Sequence, residues 1–360
     1  MIHIILGTKA QLIKMAPIMV ELKNQKINYN FIFTGQHKET MNKLLENFNI
    51  KKPDYVLYSG KDITGIFQMF VWMFKIMFKL IWNKNKIFKK DKKGIVLVHG
   101  DTFSTLLGAF MAKIARLKVG HIESGLRSFN LFNPFPEELT RIFTFKLTDY
   151  YFCAGNWAKN NVKKYKGIKI NTEENTLLDS LNLAIKNQKN IFVEIPKEKY
   201  VVVTIHRFEN IFQKKQFNKI IAILEEISKK HRLLFILHPP TKKKLEEFNF
   251  LIRLQSNKNI ELRPRYDYFE FVKLINHAEF VISDGGSNQE ECYYLGKPCL
   301  LLRYSTERKE GVGQNVVLSK FNLNKIKYFS TNYKQYKFDF ILNENFPSKL
   351  IIEKLKEFTK

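Results

Sequence analysis

The stretch EFVISDGGSNQEECYYLGKPCLLLR, Glu279 to Arg303, holds a complete strand–helix–strand unit. Phe280 to Ile282 form a short apolar run that stops at Ser283, Asp284 and the Gly285-Gly286 pair. Asn288 to Gly296 then reads as a helix, and Lys297 to Arg303 as a second apolar strand. A helical crossover between two strands that lack polar alternation makes a parallel sheet covered on both faces.

The same alternation recurs outward from this unit. Upstream lie KYVVVTIHR (199–207) as a strand, FNKIIAILEEISKKH (217–231) as a helix, RLLFILHP (232–239) as a strand and YFEFVKLINHA (268–278) as a helix. A separate cycle opens the chain. IHIIL (2–6) is a strand ending at Gly7, and QLIKMAPIMVELKNQ (11–25) carries Leu12, Met15, Ile18, Met19 and Leu22 on one side of a helix. NYNFIFTG, ETMNKLLENFNI, GIVLVHGDT, FSTLLGAFMAKIARL and KVGHIES continue it as strand, helix, strand, helix, strand. The fold class is therefore α/β, with two doubly wound halves in series. A length of 360 residues also exceeds what one core usually serves. The polar, lysine-rich stretch 166–198 marks the join, giving an N-terminal domain over 1–170 and a C-terminal domain over 171–345. PSKLIIEKLKEF closes the chain as an amphipathic helix in 346–360, expected to pack back on the first domain.

Composition narrows the function classes. Three cysteines, Cys153, Cys292 and Cys299, show neither metal spacing nor a disulfide framework, which fits a reduced cytoplasmic compartment. The start, MIHIILGTKAQ, lacks the features of a secretory signal, and no run reaches the roughly 18 apolar residues of a membrane span. The balance of 60 Lys and Arg against 34 Asp and Glu, a formal charge of +26, points either to an anionic partner or to a lysine-solvated surface. No nucleic-acid motif is present, so nucleic acid is not an expected partner. A P-loop, G-x-G-x-x-G, G-x-S-x-G and zinc spacing are all missing, and neither a metal nor a cofactor is called for.

Ligands of parallel sheets sit at the carboxyl ends of the strands. Polar residues cluster at nearly all of them: Gly7 to Lys9, Gly35 to His37, His99 to Asp101, Glu123, His206-Arg207, His238, and Asp284 to Glu291. This argues for a cleft to which both halves contribute. The glycine turn offers amide donors at a helix N-terminus, a site for a diphosphate. Glu290 and Glu291 read either as acceptors for ribose hydroxyls or as acids favoured by the helix dipole. Arg207 suits a phosphate, and His206 either binds one or moves a proton. Asp101, His121, Glu123, Arg127, Glu137, Glu138 and Arg141 offer acid–base groups for chemistry on a sugar carbon, or surface charge paired with lysine.

GTKAQLIKMAP, FTGQHKETM, VLVHGDT, VGHIESGLRS, NPFPEELTR, VVVTIHRFEN, DYFEFVKLINHAEFVISDGGSNQEE, LGKPCLLLR and STER occur in order over nearly residues 1–310. As a set they resemble the non-hydrolysing UDP-N-acetylglucosamine 2-epimerases. The resemblance implies two Rossmann-like domains in the glycosyltransferase-B arrangement, with a UDP-sugar in the cleft. It implies elimination of UDP to a glycal-type intermediate, then re-addition with inversion at C2. By position, Asp101, Glu123, Glu137 and His206 match the family's catalytic or cleft residues and are taken as the catalytic set. Gly285, Gly286, Ser287 and Glu291 match the nucleotide turn, with Glu291 on the ribose. Lys9, Gln36, His37, Arg141, Arg207, His238 and Arg308 match substrate-binding positions. Two departures stand out: Lys9-Ala10-Gln11 replaces the family's Arg-Pro-Glu, and Glu174-Asn175-Thr176 replaces its Gly-Asn-Thr.

Residues 63–94 depart most. Ile63, Ile66, Phe67, Phe70, Phe74, Met77, Phe78 and Ile81 fill one helical face, opposite Thr64, Gln68, Lys75 and Lys79. Lys84, Lys86, Lys89, Lys90, Lys92 and Lys93 follow. This predicts a helix lying in an anionic membrane interface, anchored by Trp72 and Trp82, with the chain peripheral on the inner face of the membrane. A homodimer face or a core helix is the competing reading. Three activities follow: an epimerase feeding surface polysaccharide synthesis, a membrane-associated glycosyltransferase of the same fold using a lipid-linked acceptor, and a hydrolysing epimerase.

Overall fold

The computed structural model describes residues 1–35, 41–60, 66–131, 136–340 and 346–359. Gln36 and His37 lie outside them. The chain divides into two compact units, Met1–Leu183 with Glu344–Lys360, and Ala184–Asn343.

In the first unit the strands are β1 (Ile2–Leu6), β2 (Tyr29–Phe33), β3 (Tyr55–Val56), β4 (Ile95–His99), β5 (Lys118–Ile122), β6 (Tyr150–Cys153) and β7 (Ile168–Asn171). They form one parallel sheet in the order β3-β2-β1-β4-β5-β6-β7. The strand order reverses beside β1 and β4, so the polar ends of those strands and of β5 lie together. β1, β2 and β4 are buried throughout, the polar His3, Asn30 and His99 included, which explains why apolar residues predominate in them. In the second unit β8 (Tyr200–Thr204), β9 (Arg232–Leu237), β10 (Ile260–Pro264), β11 (Val281–Ser283), β12 (Cys299–Leu301) and β13 (Val316–Leu318) pair in parallel as β10-β9-β8-β11-β12-β13. The opening stretch is thus β11, the helix Gly286–Tyr294 and β12. Its two strands are direct neighbours.

The helix Ile66–Ile87 corrects the membrane reading in part. Trp72, Ile76, Leu80 and Ile87 are buried in the first unit's core, and the Trp72 indole donates to Thr34 O at 3.2 Å. Trp72 is a core residue, not a lipid anchor. Lys79 is not simply part of a solvated polar stripe: its ammonium donates to the carbonyls of Val56 and Leu57. Val71, Phe74, Phe78 and Trp82 instead point outward. Ile63 and the side chains of Ile66, Phe67, Phe70 and Ile81 lie outside the described residues.

The helix Pro347–Thr359 belongs to the first unit, where it packs on the helix Lys9–Asn24, and Tyr150 stacks on Phe358. Asp179, on the helix Leu177–Lys186, accepts from the Ser348 amide at 2.8 Å. Burial pushes this carboxyl up to about 7, aided by Glu21 and opposed by the Ser348 hydrogen bonds and Lys349. A folded pKa above the unfolded value favours the protonated chain. The stability it supplies is complete below about pH 4 and is lost as pH rises through about 7. Asp179→Asn is therefore expected to match the parent near pH 4 and to exceed it by about 4 kcal/mol at pH 8. Urea unfolding followed by tryptophan fluorescence checks this, because Trp72, Trp82 and Trp157 all lie in the first unit. A gap that does not grow with pH excludes the account.

Candidate active site

The carboxylates at the strand ends of the first unit are held by partners distant in sequence. Glu123 follows β5 with φ 58°, a left-handed backbone that a glutamate adopts at a cost of about 1 kcal/mol or more. Its Oε1 accepts from Lys14 Nζ at 2.6 Å and from Asn175 Nδ2 at 2.7 Å, and His99 Nε2 lies 3.3 Å from Oε2. Lys14 and Glu123 side chains are 5% and 6% exposed, so the pair acts with little solvent screening. Asn175 is also the local cap of its segment, its Oδ1 accepting from Leu177 N. Neither Lys14 nor Asn175 was singled out as a site residue from sequence. Asn175 had a signal, being the retained middle residue of the altered Gly-Asn-Thr.

Asp101 lies on the turn after β4 and is the solvent-facing end of an ion-pair relay. Arg141 donates to Asp101 Oδ2 from both Nε (2.9 Å) and Nη2 (2.5 Å), and from Nη1 to Glu138 at 3.1 Å. Arg127 Nε donates to the other oxygen of Glu138. Burial works to raise the Glu138 carboxyl. Hydrogen bonds from Ser128 N, Arg127 and Arg141 outweigh it and hold the group below the usual range. Arg141 is 5% exposed and spent on Asp101 and Glu138, so it braces the site from behind rather than facing outward. Glu137 begins the helix Glu137–Leu147, and the Thr140 hydroxyl donates to the backbone carbonyls of both Asp101 and Glu137. Burial drives His121 down to about 4, leaving it neutral, and its Nε2 donates to Gly100 O. It is a brace for the Asp101 turn.

Lys9 starts the helix Lys9–Asn24, capped by Thr8. Gln11 satisfies four groups there: Oε1 accepts from Gly7 N and Thr8 N, and Nε2 donates to His99 O and Thr105 Oγ1. A glutamate makes the first two bonds but, once ionised, repels the His99 carbonyl. The amide at this departure from the family thus ties β1 to the end of β4.

The second unit supplies cations and amides. Gly285 and Gly286 open the helix Gly286–Tyr294. A Cβ on Gly285 would stand 3.0 Å from His206 Cε1, and one on Gly286 would stand 3.1 Å from Arg308 Nε and 3.8 Å from Arg207 Nη2. The bare turn therefore lies beneath two guanidiniums and an imidazole, at a helix N-terminus, as an oxyanion requires. Arg207 is 3.4 Å from Glu307, which Arg303 also pairs at 3.1 Å. Burial acts to raise Glu307, but Arg303 and Arg207 prevail and hold it at about 2. Arg308 Nη1 donates to the buried Glu290 at 2.7 Å. His238 caps the helix Pro239–Glu247 and stacks on His206, ring centroids 4.4 Å apart at 17°. Ser287 is exposed on the turn. Glu291 is buried and accepts from Asn288 Nδ2 at 2.9 Å. Glu290 and Glu291 fall beyond the first turn of their helix, so the dipole does not explain them.

Two doubly wound parallel sheets, one bearing carboxylates and the other an anion turn, define the glycosyltransferase-B-like class. A glycosyltransferase from Rickettsia africae shares this fold at a TM-score of 0.54 and 13% identity. The family model for UDP-N-acetylglucosamine 2-epimerase matches residues 20–329. A UDP-N-acetylglucosamine 2-epimerase of Methanococcus maripaludis is 38% identical over 332 residues, covering 87% of this chain and 86% of that protein. The Bacillus subtilis enzyme is 31% identical, covering 86% and 80%. Among solved structures, the Methanocaldococcus jannaschii UDP-GlcNAc 2-epimerase in complex with UDP-GlcNAc and UDP superposes with a TM-score of 0.80 at 29% identity, covering 99% of both chains. The Neisseria meningitidis enzyme bound to UDP-GlcNAc gives 0.82 at 29%, again covering 99% of both. The chain belongs to the UDP-N-acetylglucosamine 2-epimerase family.

Proposed function

We propose that this protein interconverts UDP-N-acetylglucosamine and its C2 epimer, UDP-N-acetylmannosamine, by eliminating and re-adding UDP. The observation that carries the reading is the division of labour within a matched family: carboxylates in one unit, a cationic glycine turn in the other. In the forward step a carboxylate takes the C2 proton, the C1–O bond breaks, and its electron pair leaves with UDP while C1=C2 forms. Re-addition of UDP at C1 returns a proton to C2 from the opposite face. Asp101, Glu123 and Glu137 are the acid–base candidates. The weak acidity of C2–H demands a base held in place before the reaction, as Glu123 is by Lys14 and Asn175. Departure of UDP is eased where its growing charge meets Arg207, Arg308, His206 and the amides of the turn. Lys9, Gln36 and His37 are proposed to contact the substrate, and Glu291 the ribose.

Incubation with UDP-N-acetylglucosamine in D2O, followed by NMR, tests the reading. Expected is the manno epimer with UDP still attached and deuterium at C2. Free UDP with free sugar indicates a hydrolysing enzyme. Turnover only with a lipid-linked acceptor indicates a transferase, a reading the family matches disfavour.

A second reading concerns a partner. Val71, Phe74, Phe78 and Trp82 recur at helical spacing and are 38%, 62%, 65% and 83% exposed. Lys75, Lys84 and Lys86 are exposed on the same helix, and the sequence has no carboxylate between Asp62 and Asp91. Among the described residues no helix is long and apolar enough to cross a membrane, so contact would be peripheral. We infer an anionic lipid surface as the partner, because a second copy brings no acidic group from this segment. Co-flotation with vesicles of 30% phosphatidylglycerol is expected for the parent, falling at least fivefold for Phe74→Ser/Phe78→Ser/Trp82→Ser and on purely zwitterionic vesicles. A parent that ignores vesicles but sediments as a dimer, with a monomeric triple variant, assigns the stripe to a second copy.

A further inference from the structure

Asp284 lies between β11 and the glycine turn, and its side chain is fully buried. Sequence reasoning passed over its side chain in favour of the glycines beside it. Its carboxylate gathers the loop after β8. His206 N donates to both oxygens at 3.1 and 3.2 Å, Arg207 N to Oδ2 at 2.9 Å, and Asn210 Nδ2 to Oδ2 at 2.9 Å. Asn210 is fixed in turn by Leu302 O. The His206 ring stands beside this set: its Nδ1 lies 3.4 Å from Asp284 Oδ1, within ion-pair range but outside hydrogen-bond geometry, and is buried with no other hydrogen-bond partner among the described residues.

An ionised carboxylate only accepts hydrogen bonds. A ring nitrogen facing it at this range is favoured as N–H, and repelled if it presents a lone pair. In a neutral imidazole, when one ring nitrogen carries the proton the other presents its lone pair. Nε2 is then the nitrogen left for a ligand, on a ring 34% exposed whose Cε1 edge lies against Gly285. We propose that Asp284 is a positioning residue: it locks His206 in the Nδ1–H tautomer and sets the backbone of His206 and Arg207 against the Gly285-Gly286 turn. The proposal rests on the epimerase reading for its catalytic consequence, but not for the tautomer.

Other charges face the ring. His238 stacks on it, Arg207 and Arg265 favour its neutral form, and Glu209 favours the charged form. Burial is the largest influence and lowers the His206 pKa, while Asp284 opposes it. Removing the Asp284 charge must therefore shift any His206 titration to lower pH.

The first test uses the parent protein. A long-range ¹H–¹⁵N spectrum of histidine-labelled protein near pH 8, assigned by loss of the signal in His206→Gln, is expected to show the Nδ1–H pattern. An Nε2–H pattern overturns the proposal, whatever the enzyme's products. The second is a double-mutant cycle. Asp284→Asn is expected to lower kcat about tenfold to a hundredfold in the parent background, and less than about threefold in His206→Gln, since it acts through a group already absent. The acid limb of its kcat/KM profile moves to lower pH. An equal loss in both backgrounds, with an unmoved profile, marks a merely structural residue and overturns the proposal. If Asp284→Asn does not fold, the parent spectrum decides alone. Absence of epimerase activity in the parent refutes the functional reading and leaves the spectrum as the test of this one.

Discussion

Glu123→Gln is expected to lower kcat for C2 epimerisation by about a thousandfold, with UDP affinity changed less than about threefold. The amide keeps the shape of the side chain but cannot take a proton from carbon. The anion turn, by contrast, belongs to the second unit and is untouched. Exchange of the C2 hydrogen in D2O reads the chemistry, and calorimetric titration with UDP reads the binding. The variant also takes from the Lys14 ammonium, whose side chain is 5% exposed, the carboxylate that it pairs with at 2.6 Å. Breaking such a pair costs about 3 kcal/mol, whereas replacing both charges costs much less. Lys14→Met/Glu123→Gln is accordingly expected to recover stability without activity, which separates the chemical role of the carboxylate from its structural one. A single variant with more than a tenth of parental kcat removes Glu123 from the proton transfer.

Arg141→Met is expected to destabilise the first unit by about 3 kcal/mol and to lower kcat about a hundredfold. It removes the bidentate hold on Asp101 and one of the two cations on the fully buried Glu138. Tryptophan-detected urea unfolding reads the first effect, and the midpoint should fall at an unchanged slope. Arg141→Lys keeps the charge but loses the fork, and should recover less than half of either loss. An Arg141→Met protein of parental stability with weakened substrate binding would instead put this guanidinium on the substrate, as the family resemblance implies.

Local patterns made much of the chain legible. β1, β4, β8, β9 and β11 are legible as strands because they are almost wholly buried and therefore mainly apolar. The two-residue β3 is not, since half-exposed Tyr55-Val56 carries no such pattern. The glycine turn and the His206-Arg207 pair were legible because strand ends announce themselves in a parallel sheet. The Ile66–Ile87 helix was read correctly as a helix and only partly as a surface. It is apolar on two sides, and periodicity does not say which side meets the sheet.

The sequence alone determined the alternation of elements, the family motifs and the residue types available for acid–base and anion chemistry, because these depend on near neighbours along the chain. Tertiary structure alone decided their partners. Lys14 and Glu123 are 109 positions apart, Asn175 and Glu123 are 52, and His206 and Asp284 are 78. Such pairs meet only when the strand order of each sheet is in place, and the burial that strengthens their electrostatics exists only in the folded chain.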